Sequence, residues 1–438
     1  MGSYIPSSVR EREELLKAVG VNSIDELFAV IPEAVRVKGE LNLPKGLSEM
    51  ELRRKMNEMA AKNTVFPVIL RGAGAYDHHI PSIVKYIPAK EEFLTTYTPY
   101  QAEISQGVLQ SIFEYQTMIC QLTGMDVSNA SVYDGASAAA EAVTMCRDRK
   151  RTKALVSGAA HPDTIETIRT YCSAADCEMV VVPHKNGVTD VDALTEMMTA
   201  DTCCLYVQSP NFFGQIEDVT ALADLAHEAG LKLIAGCNPI ALAILKTPAE
   251  CGADIAVGEG QPLGMPLSYG GPYLGFMATG DAMMRKLPGR MVGQTEDTEG
   301  KRAFVLTMQA REQHIRREKA SSNICSNQAL CALTASVYCS VMGPHGLKQV
   351  AQQCHSKAVY FANLLCKIPG VAMKYEGQFF HEFVTTLPVE AQKVVDALAN
   401  EGILAGLPVE GGILWCVTEK VTREDIERAA KIVEEVCA

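Results

Sequence analysis

No apolar run in this 438-residue chain approaches the roughly 20 residues that a membrane-spanning helix needs. No Gly-x-Gly-x-x-Gly follows the first expected strand and no Walker-type Gly-Lys-Ser occurs, so the fingerprints of dinucleotide and nucleoside-triphosphate sites are missing. Basic residues are the minority: 40 Lys and Arg against 52 Asp and Glu leave a formal net charge of -12. That balance provides no cationic face of the kind that neutralises nucleic-acid phosphates or an anionic membrane. Cysteine is plentiful, at 15, yet no Cys-x-x-Cys pair occurs, which argues against a structural zinc site. No signal peptide precedes the cysteines, so they are expected to be reduced, mostly buried thiols of a cytoplasmic protein. The start, Met1-Gly-Ser-Tyr-Ile-Pro6, misses a myristoylation signal because proline stands where Ser or Thr is required.

One local absence matters more. Between Lys246 and Lys286 there is no lysine, although Ala253-Asp-Ile-Ala-Val-Gly-Glu-Gly-Gln261-Pro-Leu-Gly264 runs from a buried strand into a glycine-punctuated turn ending at Gly270-Gly271-Pro272. A strand-to-loop step of this kind is where α/β enzymes place their chemistry. In an enzyme using pyridoxal phosphate, a lysine here would carry the Schiff base. Gln261 cannot.

What is present is ordinary for a soluble globular protein, with 47% apolar and 21% charged residues. Residues 1–60 carry helical signals, Glu11 to Val19 and the capping box Ser23-Ile-Asp-Glu26, and are expected to form an N-terminal arm. Pro99 and Glu103 open a long helix from Thr98, with Ile104, Val108, Ile112, Tyr115, Ile119 and Leu122 as its apolar stripe and Gly124 as its stop. Apolar, β-branched runs at 153–157, 178–182, 203–208, 231–236, 254–257 and 273–278 alternate mostly with helical patterns such as Asp218 to Glu228. The expectation is a doubly wound, mainly parallel sheet in a large domain, 61–326. Beyond it, two long helices (327–342 and 346–365), strands near Val371, Phe379 and Ile413 and a last helix from Thr422 indicate a small C-terminal α/β domain, 327–438. Gly135-Ala-Ser137 before an alanine-rich helix could present amides to an anion, though helix capping alone explains it. The adjacent His78 and His79 lack a third ligand nearby in sequence and are not read as a metal site.

Two blocks are more specific. Thr98-Pro-Tyr-Gln-Ala-Glu103, continuing through Tyr115-Gln-Thr-Met-Ile-Cys120 to Ala130, and Arg311-Glu-Gln-His314-Ile-Arg316-Arg317-Glu-Lys319-Ala-Ser-Ser322-Asn323 resemble the glycine decarboxylase (P-protein) family of the glycine cleavage system. The resemblance extends over nearly the whole chain. It implies the fold-type-I pyridoxal-phosphate-dependent transferase fold and the decarboxylation of glycine, with transfer of the aminomethyl group to the lipoyl arm of H-protein. Some members of that family divide the work between two kinds of subunit, of which one carries the lysine.

Aligned on that pattern, the aspartate that would pair with the pyridine nitrogen is Ala235 and the Schiff-base lysine is Gln261. A methyl group cannot hold the ring protonated and an amide cannot form an imine, so both handles on the cofactor are absent. The chain therefore resembles the α subunit (subunit 1) of the two-component type, expected to pair with a lysine-bearing β subunit as α2β2, with pyridoxal phosphate in the partner. Residues expected to reach the partner's cofactor are Tyr97, Tyr100, Ser322 and Asn323, with Ser322 as the phosphate contact. Arg290, His314, Arg316, Arg317 and Lys319 are candidates for guiding a carboxylate or an acidic carrier, against the simpler reading of a salt-bridged face. His161 is expected to keep only a packing role. Two alternatives stay open: a self-sufficient enzyme using a displaced lysine such as Lys246, and an assembly partner without catalytic residues.

Overall fold

The computed structural model describes residues 7–96, 98–320, 322–324 and 327–438, and the chain divides into two compact units, Met1–Val65 and Phe66–Ala438. In the first unit, helices Val9–Val19 and Glu49–Ala60 each begin at a serine in a reciprocal capping box, Ser8 with Glu11 and Ser48 with Glu51.

The second unit is built on a seven-stranded sheet. Its strands are β1 (Val127–Ser128), β2 (Lys153–Ser157), β3 (Glu178–Val182), β4 (Thr202–Ser209), β5 (Lys232–Cys237), β6 (Ile255–Glu259) and β7 (Gly275–Thr279). Their spatial order is β1-β7-β6-β5-β4-β2-β3. The block from β3 to β6 is parallel, and β7 is antiparallel to both neighbours. Parallel strands covered on both sides need apolar side chains on both faces. β4 meets that requirement, with Cys203, Cys204, Leu205, Tyr206 and Val207 all buried. The cysteines here act as small hydrophobes.

Helix α1 (Gln106–Thr123) ends at Gly124, whose φ of 72° is the left-handed C-cap that favours glycine. Its start differs from the expected one. Residues 98–105 form turns, Ile104 is 78% exposed, and the buried stripe is Leu109, Ile112, Tyr115, Gln116, Ile119 and Thr123. The segment is held by tertiary bonds instead: the Gln106 amide donates to the carbonyls of Ala102 and Phe304.

Helix α2 (Gly135–Cys146) is capped by Asp134, whose carboxylate accepts from the Ser137 amide at 2.8 Å. Its run of buried alanines, Ala138, Ala139, Ala140 and Ala142, lets the helix lie close on β4 to β7. Helices α3 (Pro162–Ala174) and α4 (Val219–Glu228) follow β2 and β4. The two helices expected after residue 327 lie within the span α5 (Ala329–Leu365), which is broken between them where Gly343 leaves helical geometry (φ 59°, ψ 177°) just before Pro344.

A four-stranded antiparallel sheet completes the unit: β8 (Ala372–Met373), β9 (Glu382–Thr386), β10 (Leu407–Val409) and β11 (Gly412–Cys416), in the order β8-β9-β11-β10. The strand expected near Phe379 begins three residues later, at Glu382. α6 (Ala391–Asn400) and α7 (Arg423–Cys437) cover this sheet, the latter opened by a Thr422–Asp425 capping box. Trp415 is fully buried here with Phe361 and Phe383, and its indole N–H donates to Thr385 at 2.9 Å.

Candidate functional site

Parallel strands end on one side of the sheet, and the loops leaving them open a crevice there. A cavity of about 360 Å³ lies at that place, lined by Tyr206 and Gln208 of β4, Gly236 and Cys237 of β5, Gly258 and Glu259 of β6, the start of α2 and His161, and closed by Tyr76, His381 and Glu382. Among the described residues no lysine or arginine lines it, whereas Asp134, Asp163, Glu259 and Glu382 do.

Glu259 explains how the strand-to-loop turn is built. One carboxylate oxygen accepts from the amides of Gln261 and Leu274, each at 2.9 Å, and the other from the amide of Gly135 at 3.0 Å. Gly135 is the first residue of α2, so an internal carboxylate sits at the positive end of the helix. The approach is tight: a side chain on Gly135 would come within 2.8 Å of the Glu259 nitrogen. Burial pushes the Glu259 carboxyl up to about 7, against the lowering by its three amide donors.

Gln261 is wholly buried. Its amide oxygen accepts from the Tyr76 N–H at 2.9 Å, and its amide nitrogen donates to the carbonyls of Tyr76 at 2.9 Å and Met265 at 2.8 Å. The side chain thus ties the loop after β6 to the 72–79 turn and does not enter the cavity. Ala235 pairs with Val207 and Ala256 and packs with Leu205, Val207 and Leu233. Gly236, pointing to the other face, is the residue that borders the crevice.

The residues present do not fit a covalently held pyridoxal phosphate. Among the described residues no amine lines the cavity, Gln261 is committed to three backbone groups, and Glu259 already holds the first amide of α2, where a phosphate would need it. Lys246, the displaced-lysine candidate, is exposed and does not line the cavity. His161 does line it, with Nε2 2.9 Å from the Ala73 carbonyl and Nδ1 accepting from the Asp163 amide at 3.1 Å. With Nδ1 engaged as an acceptor, Nε2 is the ring nitrogen that faces the Ala73 carbonyl as donor.

Several polar groups here were invisible in the sequence. Glu382 accepts from the Ala73 amide at 2.6 Å and the Tyr76 hydroxyl at 2.7 Å, and burial pushes its carboxyl up to about 7. His381 is 2% exposed and lies edge-on to Tyr76, with ring centroids 4.6 Å apart. Neither of its ring nitrogens has a hydrogen-bond partner among the described residues. His78, not read as a metal ligand because no further ligand is near it in sequence, meets Glu419 at 2.7 Å, and the donor atoms of His78, Cys354 and Glu419 lie within 4.8 Å of one another. These groups sit 276 residues or more beyond His78 in sequence, so no spacing announces them.

The remaining candidates occupy a second region. Tyr97 lies outside the described residues. Tyr100 is half-buried, donates to the Asn327 side chain and lies under the Arg290 guanidinium, 5.1 Å from the ring centroid. Arg290 also pairs with Glu312 at 3.2 Å, so it already has a carboxylate. Asn327 in turn donates to Ser131 at 2.9 Å. Ser322 is half-buried and hydrogen-bonded to the buried Glu141, and Asn323 is exposed. His314, Arg316, Arg317 and Lys319 are exposed.

A family model described as glycine cleavage system P-protein matches residues 2–433. A protein of Desulforamulus reducens named probable glycine dehydrogenase (decarboxylating) subunit 1 is 51% identical over 437 residues, covering 98% of each chain. One of the same name from Moorella thermoacetica is 49% identical over 433 residues, covering 97% of each. Among solved structures, a glycine decarboxylase (P-protein) of the glycine cleavage system in inhibitor-bound form superposes with a TM-score of 0.94 at 40% identity, over 99% of this chain and 100% of that one. A sphingosine-1-phosphate lyase from Burkholderia pseudomallei shares the fold, with a TM-score of 0.68 at 15% identity over 93% of this chain and 94% of the other.

Proposed function

The chain belongs to the glycine cleavage system P-protein family, and from that premise we propose that it is the cofactor-free subunit of a two-subunit glycine dehydrogenase (decarboxylating). Its partner is a lysine-bearing β subunit, assembled with it as α2β2. The complex decarboxylates glycine and passes the aminomethyl group to the lipoyl arm of H-protein. Pyridoxal phosphate, held by the partner, supplies the electron sink for loss of the carboxyl group.

The observation that carries this reading is Gln261, spent on three backbone hydrogen bonds at the position of the reactive amine. A chain so built has given up the covalent tether while keeping the loop. Its own contribution lies in the second region. Tyr100, Ser322 and Asn323 border the partner's cofactor, with Tyr97, outside the described residues, as a further candidate from the sequence, and the Arg290–Tyr100 stack with the Asn327–Ser131 bond fixes Tyr100 in place. The exposed His314, Arg316 and Arg317 form a cationic edge for the acidic carrier. Arg290, engaged by Glu312, acts on Tyr100 and not on substrate directly. No helix among the described residues is long and apolar enough to cross a membrane, and we place the complex in the cytoplasm.

The test is a visible absorption spectrum of the desalted chain after incubation with pyridoxal phosphate, alone and with the partner, and exchange of the glycine carboxyl carbon with CO2 in both samples. Colour and exchange are expected only with the partner. A borohydride-fixed chromophore on the isolated chain would overturn the proposal.

A further inference from the structure

Three segments far apart in the chain bring an imidazole, a thiol and a carboxylate to one point. His78 comes from the 72–79 turn, Cys354 from α5 and Glu419 from the loop between β11 and α7. His78 Nδ1 and Cys354 Sγ meet the same oxygen, Oε2 of Glu419, at 2.7 and 3.4 Å, and one donor atom from each residue lies within 4.8 Å of the other two. The group is internal: the side chains of His78 and Glu419 are 2% and 10% exposed, and Cys354 is fully buried. The two loops are also stitched together around it. The His79 amide donates to Oε1 of Glu419 at 2.6 Å, the Thr418 hydroxyl donates to the Asp77 carbonyl at 2.8 Å, and Lys420 pairs with Asp77 at 2.6 Å. Lys357, on α5 near Cys354, donates to the Glu419 backbone carbonyl and not to its carboxylate. His78 Nε2 is buried without a partner among the described residues. None of the three residues lines the cleft at the strand ends.

We propose that His78, Cys354 and Glu419 bind one zinc ion, which pins the 72–79 turn and the loop after β11 to α5. The donor set selects the metal. Zinc is a borderline-soft cation that takes imidazole nitrogen, thiolate sulfur and carboxylate oxygen at roughly 2.0–2.3 Å, which sets ligand atoms about 3–4 Å apart in a tetrahedral shell. Magnesium and calcium prefer shells of oxygen alone. Charge points the same way: one thiolate and one carboxylate balance a dication, so the buried group is neutral as a whole and avoids the cost of an isolated internal charge. Without metal, the three residues are joined through the Cys354 S–H and the hydrogen between His78 Nδ1 and Glu419. On binding, the thiol proton leaves to solvent and His78 coordinates through Nδ1, with its ring proton on the free Nε2. The carboxylate moves a few tenths of an ångström away from Nδ1 while Oε1 keeps the His79 amide, a supporting bond of the kind that orients metal ligands. Three protein ligands are the number zinc keeps where solvent supplies the fourth. The site is independent of where the glycine chemistry takes place.

The experiment takes the untagged full chain, strips it with a chelator, and measures zinc uptake by equilibrium dialysis with metal analysis, with cobalt(II) as a spectroscopic probe. One zinc per chain is expected. Cobalt should give a thiolate-to-metal charge-transfer band in the near ultraviolet and the strong visible bands of a four-coordinate site. Cys354→Ser and Glu419→Gln are each expected to weaken zinc binding roughly tenfold or more, with far-UV circular dichroism unchanged. Cys354→Ser should also abolish the charge-transfer band. Cys203→Ser, in the thiol-bearing strand β4, should alter neither readout, which separates this site from binding by other cysteines. Should one ligand variant fail to fold, the other carries the affinity readout. Absence of zinc binding by the wild-type chain, unaltered affinity in a folded ligand variant, a charge-transfer band that survives Cys354→Ser, or loss of binding in Cys203→Ser would each overturn the proposal.

Discussion

Replacing Gln261 by alanine tests whether the loop position has become structural. Three backbone groups lose their partner: the N–H of Tyr76 and the carbonyls of Tyr76 and Met265, now bonded at 2.9, 2.9 and 2.8 Å. A buried polar group left unmade costs roughly 1–3 kcal/mol. With partial rescue by a water in the vacated space, the loss is about 3–6 kcal/mol, a large part of the roughly 5–15 kcal/mol that holds a domain folded. Urea unfolding followed by circular dichroism measures it. Gln261→Glu should cost about as much, because an ionised carboxylate can still accept from Tyr76 N–H but turns lone pairs toward two carbonyls and lies beside Glu259. Gln261→Lys offers donors to the carbonyls and no acceptor for the amide, so an intermediate loss is expected and no borohydride-reducible adduct with pyridoxal phosphate. A loss below about 1 kcal/mol for the alanine variant, or a stable adduct on the lysine variant, would refute the argument that the side chain is a fixed tie.

Glu382 gives a pH signature: its folded pKa, raised to about 7 by burial, exceeds the roughly 4.3 of an unfolded glutamate, so its contribution is full below that lower value and declines as pH rises through about 7. Glu382→Gln should therefore flatten the fall in stability between about pH 4 and 7 by on the order of 3 kcal/mol, and an unchanged slope in urea titrations would count against the assignment. Glu419 has the opposite sign. Burial raises its carboxyl, but hydrogen bonding and charge from His78 outweigh that and hold it at about 2, so its stabilisation is present above about pH 4 and lost as pH falls toward 2. Glu419→Gln should remove that acid limb in a pH series of thermal melts. Thr385→Val strands the buried Trp415 N–H and should destabilise by about 1–3 kcal/mol in the same urea assay. Tyr100→Phe in the assembled complex should lower carboxyl exchange by roughly tenfold or more while gel filtration shows the complex intact; full exchange would support the assembly-partner alternative instead.

The layers of the fold were legible because their signals are local. β2 and β3 fall on the expected runs, the other expected strands within two residues of them, since apolar β-branched stretches flanked by turns have few other homes. The beginning of α1 was misread because Pro99 and Glu103 suit a helix start, and only Phe304, some 200 residues away, shows why the chain turns until Gln106. The break in α5 was legible because Gly343-Pro344 interrupts the local pattern: glycine permits the left-handed φ, and proline cannot continue the preceding helix. At the site, Gln261 could be found from a missing lysine. Glu382 and His381 could not, because each is defined by contacts with the 72–79 turn, more than 300 residues earlier.

Gln261 in place of a reactive lysine bears on the proposed division of labour, but it does not explain what holds the cleft in order. A helix that opens at the edge of a buried sheet leaves amides that must be satisfied, and in a cofactor site an external oxyanion can do so. An empty cradle would leave those donors in a low-dielectric crevice at a cost comparable with the stability of the whole loop. Glu259 removes that cost. It is the last residue of β6, two before Gln261, and its carboxylate reaches across to Gly135 while also holding Gln261 and Leu274. The anion has become part of the chain, covalently supplied and correctly placed once β6 is paired between β5 and β7. Gln261 then closes the loop that a lysine would have kept free to react. The two residues form one device, in which Glu259 satisfies the helix and Gln261 satisfies the turn facing it, and the fold keeps its crevice without needing the ligand for which such crevices are built.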